Sequence, residues 1–177
     1  MQFEIVVTGH TAWWLTLINW LGANMKWTHA LLKYSLGKGH RIIEACEIGV
    51  VDRPWKPKGY ESYARFRLKD SCFASEEDRY ITESQMLAFA FGEVGKRYRY
   101  EALPAIALRI LRKLFGKRGA RARLLDNIIG KGEVCTSLVD RSLLFGGLDL
   151  VPDVETPFVL PDEIAASEFL ELMKEVS

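Results

Sequence analysis

The tightest constraint on this chain is a four-residue reversal, Leu36-Gly37-Lys38-Gly39, set between two runs of extended character, WTHALLKYS and HRIIEACEIGVV. Two such runs joined by a short glycine-bearing loop read as a β-hairpin, with a strand continuing beyond it. A hairpin decides which side chains can meet across it. With the chain reversing at residues 36 to 39, the position opposite His29 falls at about 44 to 47, a window bracketed by Glu44 and Glu47. A carboxylate there accepts a ring N–H of His29 and fixes its tautomer, whereas the ordinary alternative is an exposed strand glutamate. Hairpin geometry alone leaves both glutamates open.

Around the hairpin the other elements follow from patterning. Phe3 to Val7 (FEIVV) reads as a short strand, the Thr8-Gly9 pair as a turn, and TAWWLTLINWLGA as a mostly buried helix ending near Gly22. Asp52 to Gly59, with Pro54 and Pro57, reads as a loop. In ESYARFRLK, Tyr63, Arg65, Arg67 and Lys69 alternate with Ala64, Phe66 and Leu68, the period of a half-exposed strand. Ser75 followed by acidic residues predicts a capped helix through SEEDRYITESQMLAFAFGEVGKR. A second helical stripe runs through EALPAIALRILRKLFGK, with Pro104 in its first turn. A third helix begins near Cys135 and stops at Gly146-Gly147, and Pro161 opens a C-terminal helix after a short extended piece. Helix, antiparallel strands and then helices give an α+β class, an antiparallel sheet flanked by helices. At 177 residues the chain suits one domain spanning 1–177.

Charge and cysteine usage narrow the function classes. With 24 basic and 23 acidic residues the formal charge is +1, so no polyanionic partner is called for. Seven basic residues and no acid lie between Arg109 and Arg123, but aromatic residues are not interleaved with them, and nucleic-acid binding is not expected. The apolar and basic segment 101–123 suits a helical insertion making peripheral membrane contact or covering a lipid-like substrate, against the plainer alternative of a solvated helix face. Cys46, Cys72 and Cys135 form no C-x-x-C pair and are expected as free thiols. The three histidines fall on different elements and no Cys or His pair has finger-like spacing, so neither a metal nor an organic cofactor is expected. The N-terminus lacks a secretory pattern, and the most apolar window, Ala12 to Ala23, is too short to span a bilayer. A cytoplasmic location is the default expectation, with release by lysis or phage origin as the route to an external substrate.

Cys135 carries the chemistry. It stands where a segment containing Gly130 and Gly132 gives way to the amphipathic TSLVDRSLLF, so its sulfur is expected at a helix N-terminus. Unpaired N–H groups and the positive end of the helix dipole favour a thiolate there, and the same N–H groups suit a developing oxyanion. A thiolate nucleophile needs a base of near-neutral pKa. Of His10, His29 and His40, only His29 lies within a strand, on the face expected to hold Trp27 and Leu31; the others sit at turns or strand edges. A carboxylate from the facing strand would complete a triad.

In this order, THA with His29, IIEA with Glu44, GKRYRY with Tyr98 and Tyr100, VCTSLVDRSL with Cys135, and the late LPDEIAAS resemble the circularly permuted branch of the NlpC-type papain-like superfamily. That branch includes the YiiX-like and YaeF-like bacterial hydrolases and is distantly related to the lecithin retinol acyltransferases. The resemblance covers about Glu4 to Ser167, and in this branch, as here, the histidine strand precedes the cysteine helix. It implies a catalytic triad of Cys135, His29 and a polar residue about fifteen positions after the histidine, which selects Glu44. It also implies substrate contacts from Tyr98 and, less directly, Tyr100, with Trp27 as a further candidate beside His29. Thr136-Ser137 after the cysteine departs mildly from the family pattern. The implied activity is cleavage of an amide in a cell-wall peptide or a lipid-linked substrate through an acyl-enzyme. Acyl transfer from a lipid ester and a catalytically silent binding domain of the same fold are the alternatives.

Overall fold

The computed structural model describes residues 2–9, 25–37, 39–97, 135–152, 154 and 159–176. His10, the helix expected over residues 11–23, Tyr98, Tyr100 and the 101–123 segment lie outside the described residues. The described chain forms strands β1 (Gln2–Gly9), β2 (His29–Ser35), β3 (Arg41–Cys46), β4 (Gly49–Pro54) and β5 (Ser62–Leu68), then helices α1 (Glu76–Glu93), α2 (Cys135–Phe145) and α3 (Pro161–Ala165), and finally strand β6 (Leu170–Val176). The six strands make one antiparallel sheet in the order β4-β3-β2-β1-β5-β6.

The expected hairpin is present: Tyr34 faces Arg41, Lys33 faces Ile42 and Leu32 faces Ile43. The second run is not one long strand. It breaks at Glu47-Ile48, and Gly49 at φ +115° turns the chain back as β4, so that Glu44 faces Val51 and Ile42 faces Arg53. Three residues read as loop, Asp52 to Pro54, therefore belong to a strand. A Cβ at Gly49 would stand 2.5 Å from the Lys96 carbonyl oxygen, which accepts from the Val50 amide at 2.8 Å. Thr8 and Gly9, read as a turn, extend β1 and pair with His29 and Ser62.

The C-terminus also departs from expectation. Leu170–Val176 has strong helix formers, yet it pairs with β5, where Leu170 faces Leu68 and Leu172 faces Phe66. Pairing with β5 overrides weak local propensity here: Arg67 Nε donates to Glu171 at 2.9 Å across the pair, and Lys26, ahead of β2, pairs with Glu175. Helix α1 follows its sequence signal closely, the Ser75 hydroxyl capping it by accepting from the Asp78 amide at 3.1 Å.

The helices and one sheet face enclose the main core, which includes Ile5, Val7, Leu32, Ile43, Phe66, Met86, Leu138 and Leu143. The other face carries Val6, Leu31, Ile42 and Tyr63. On that second face lies a buried ion cluster. Glu4 accepts from Lys33 Nζ at 2.9 Å, from Arg65 Nε at 2.6 Å and from Arg65 Nη2 at 2.7 Å, and Lys33 is 2% exposed. Burial pushes the Glu4 carboxyl up, but the hydrogen bonds and charges of Arg65 and Lys33 outweigh it and hold the group below its ordinary value.

Removing one partner of a buried pair strands the other charge, so Lys33→Ala should cost ~3 kcal/mol in urea unfolding at neutral pH. Because the Glu4 carboxyl is depressed in the folded chain, the stability it confers is full above the ordinary carboxylate pKa and is lost as pH falls through the depressed one. In Lys33→Ala that acid-side loss should become shallower.

Candidate active site

Cys135 is the first residue of α2 and His29 the first of β2. The approach to His29 is fixed by three contacts. The Asp162 carboxylate, at the start of α3, accepts from the Lys26 amide at 3.0 Å and the Trp27 amide at 3.4 Å, and the Thr28 amide donates to the Thr8 carbonyl at 2.9 Å. Beyond these, β2 is paired with β1 along its whole length, but its ladder with β3 stops at Leu32–Ile43. Helix α2 packs on β2 and β3. Its first residue thereby meets the start of β2, where the Ala30 amide hydrogen-bonds the Cys135 sulfur.

The three groups are arranged in series. His29 Nε2 and Glu44 Oε2 are 2.8 Å apart, which leaves Nδ1 as the ring nitrogen for the hydrogen bond between His29 and Cys135. Glu44 is 2% exposed and the His29 side chain 19% exposed, so ring and carboxylate are largely shielded from water while the ring keeps an open edge. The second Glu44 oxygen, Oε1, pairs with Arg53 Nη2. Arg53 Nη2 also lies 3.5 Å from the Tyr60 hydroxyl, and Tyr60 stacks on Trp55 at 5.2 Å.

Burial alone would keep all three groups neutral. For His29 it lowers the pKa, but the Cys135 charge and hydrogen bond, followed by those of Glu44, overcome it and raise the ring to about 10. For Cys135 burial raises the thiol, while the His29 charge and hydrogen bond and the amides of Ala30 and Thr136 pull it below its ordinary value. For Glu44 burial raises the carboxyl, and His29 first, then Arg53, hold it below its ordinary value. The row of sulfur, imidazole and carboxylate therefore favours the charged form of each group, every charge matched by its neighbour.

The sequence-selected Cys135, His29 and Glu44 are thus brought together. Glu47 is not: it lies in the β3–β4 turn and is exposed. His40 is exposed beyond the hairpin loop. Trp27 does not share a face with Leu31. The chain is not yet a strand at Trp27, whose ring, 5% exposed, sits in the helix-side core. Arg53 and Asp162 were missed as contributors. The signal for Arg53 was the Glu47-Ile48-Gly49 turn, which reverses the chain so that Arg53 lies on the Glu44 face; for Asp162 it was the LPDE phrase, whose helix start reaches the His29 approach.

No family model matches this chain, and no curated protein matches it. Its structure is similar to the crystal structure of the metalloprotein YiiX from Escherichia coli O157:H7, with a TM-score of 0.51 and 15% identity over 98% of this chain and 96% of that one. A metal is not accommodated by the present triad, because the imidazole stands between the thiol and the carboxylate and the three donors do not converge on one point. Among the described residues no other group of three His, Cys, Asp or Glu side chains is placed to hold an ion. Nor is any described helix long and apolar enough to cross a membrane. With near-complete coverage of both chains, the likeness shows that this chain has a YiiX-like fold, a mixed α/β architecture built on a six-stranded antiparallel sheet.

Proposed function

We propose that this protein is a thiol hydrolase of the papain-like, NlpC type in its circularly permuted form, cleaving an amide through Cys135, His29 and Glu44. The observation that carries the proposal is the serial contact of a helix-start cysteine, a histidine and a buried carboxylate. That is the arrangement a nucleophile, its proton carrier and an orienting group require. The family resemblance adds the substrate class, an amide in a peptide-like or lipid-linked molecule.

In the first step the Cys135 sulfur attacks the carbonyl carbon and the carbonyl π pair moves to oxygen. N–H groups in the first turn of α2 stabilise that oxyanion. As it collapses, the C–N bond breaks and the His29 imidazolium gives its proton to the leaving nitrogen, leaving a thioester on Cys135. Water then attacks the thioester while neutral His29 takes its proton, and the C–S bond breaks to return thiolate and imidazolium. Glu44 keeps the ring oriented throughout and favours its charged form. A high imidazolium pKa suits the donation step, since the ring enters the cycle already carrying the proton that the leaving group needs.

Iodoacetamide should alkylate Cys135 well below pH ~8.5, where an ordinary thiol is protonated. In His29→Ala that reactivity should retreat toward the ordinary thiol range, with Cys135→Ala as the blank. Alkylation at Cys135 that follows an ordinary or buried thiol profile in parent and His29→Ala alike would end the enzyme proposal. On a substrate found by screening peptide and lipid amides, His29→Ala should lower turnover by ~10²–10⁴-fold, the usual contribution of a proton carrier. Glu44→Gln should leave the fold intact but bring the loss of imidazolium down from about pH 10, so its turnover falls off at a lower alkaline pH than the parent's.

A further inference from the structure

Arg53 lies on β4 opposite Ile42, two positions from the residue facing Glu44, so it reaches Glu44 along the diagonal of the β3–β4 pair. Its guanidinium takes Oε1, the oxygen His29 leaves free. An ion pair between two exposed groups would contribute little. Here the side chains are 55% and 2% exposed, so the arginine reaches in from solvent to a carboxylate that has almost no water of its own. The same nitrogen, Nη2, also lies 3.5 Å from the Tyr60 hydroxyl, and Tyr60 stacks on Trp55, which in turn stands edge-on to Tyr63 at 5.6 Å and 90°.

A glutamate's last torsion is broad, so one hydrogen bond does not fix the plane of its carboxylate. A hydrogen bond on one oxygen and an ion pair on the other restrain it further. We infer that Arg53 is a positioning residue for the proposed reaction, acting through Glu44 to keep Oε2 on His29 Nε2. This rests on the hydrolase proposal above. The groups facing Glu44 are His29 from β2, Arg53 from β4, Tyr60 from the segment after β4, Cys46 from β3 beside Tyr60, and Cys135 from α2 beyond the ring. Among them Arg53 has a distinctive sign. As a bare cation it disfavours the imidazolium, so removing its charge alone would let His29 hold its proton to higher pH. As the clamp on Glu44 it favours the imidazolium, so removing it loosens the acceptor and His29 loses its proton at lower pH.

The test is the pH dependence of Cys135 alkylation by iodoacetate, an anion whose attack is assisted by the imidazolium and declines as His29 loses its proton. Arg53→Met, which keeps the aliphatic stem and removes the donors, should move the alkaline decline down by ~1 pH unit, within the range that a neighbouring group shifts a pKa. Arg53→Lys should recover most of the parent profile. In a Glu44→Gln background Arg53→Met should produce no downward shift, because the clamp acts through the carboxylate and only the direct repulsion of the imidazolium is left to lose. An unchanged or upward-moving decline in Arg53→Met overturns the role, as does a full downward shift in the Glu44→Gln background. Should Arg53→Met fail to fold, Arg53→Ala at the same exposed position is judged by the same outcomes. A parent enzyme whose Cys135 reactivity ignores His29 removes the hydrolase proposal and this role with it, a result distinct from a normal parent profile that Arg53 does not alter.

Discussion

A carboxylate that is 2% exposed cannot stand alone, because an unpaired charge out of water is costly enough that the group would take up a proton instead. Glu44 escapes that fate by dividing its two oxygens between a histidine and an arginine. Both partners come from neighbouring strands, so the pairing depends on the sheet. β2 must begin at His29, β3 must carry Glu44 on the same face, and β4 must return in the register that sets Arg53 on the diagonal. The short β2–β3 ladder matters equally. By ending at Leu32–Ile43 it leaves the Ala30 amide to the Cys135 sulfur at the start of α2.

The sheet uses a related solution at its centre. Glu4 is nearly as buried as Glu44 and is likewise paired by two basic side chains, Lys33 and Arg65, from the strands on either side of β1. The difference lies in which groups do the pairing. Lys33 and Arg65 are basic side chains of the two strands that flank β1, so the Glu4 cluster ties those strands together and serves the fold. Glu44 gives one of its oxygens to an imidazole, whose proton is mobile, and that imidazole is in turn bonded to a thiol. One design holds charge in place, and the other allows it to move between two atoms at the edge of the core.

Much of this was legible because it depends on short-range patterning. The LGKG reversal, the alternation in ESYARFRLK and the Ser75 cap all act within a few residues, and each appears where local chemistry puts it. Cys135 was readable as a helix start for the same reason. The choice of Glu44 over Glu47 was not available from the hairpin alone, since it depends on a ladder that stops early and on a turn at Glu47-Ile48 that reading the run as one strand concealed. The C-terminal segment misled because its Glu, Leu, Met and Lys residues favour a helix in isolation, while its actual state is decided by β5, about a hundred residues away in the chain. Arg53 and Asp162 were hidden in the same way: each acts through a partner whose position only the assembled sheet determines.

The order of the site in the chain also becomes intelligible in these terms. A triad is defined by the positions of three side chains, and nothing in its chemistry asks that the nucleophile come first. What it asks is that base and carboxylate share one rigid platform and that the nucleophile arrive on a second element, at a helix start. A hairpin meets the first demand within about twenty residues, and a helix packed across the end of that hairpin meets the second from anywhere later in the chain. Asp162 closes the arrangement from later still, binding the backbone just before His29, so the segment after the nucleophile helix holds the strand that supplies the base. Under the hydrolase proposal, a permuted chain order therefore leaves the reacting geometry unchanged, because the described contacts that build it are made between elements that the sheet and α2 bring together.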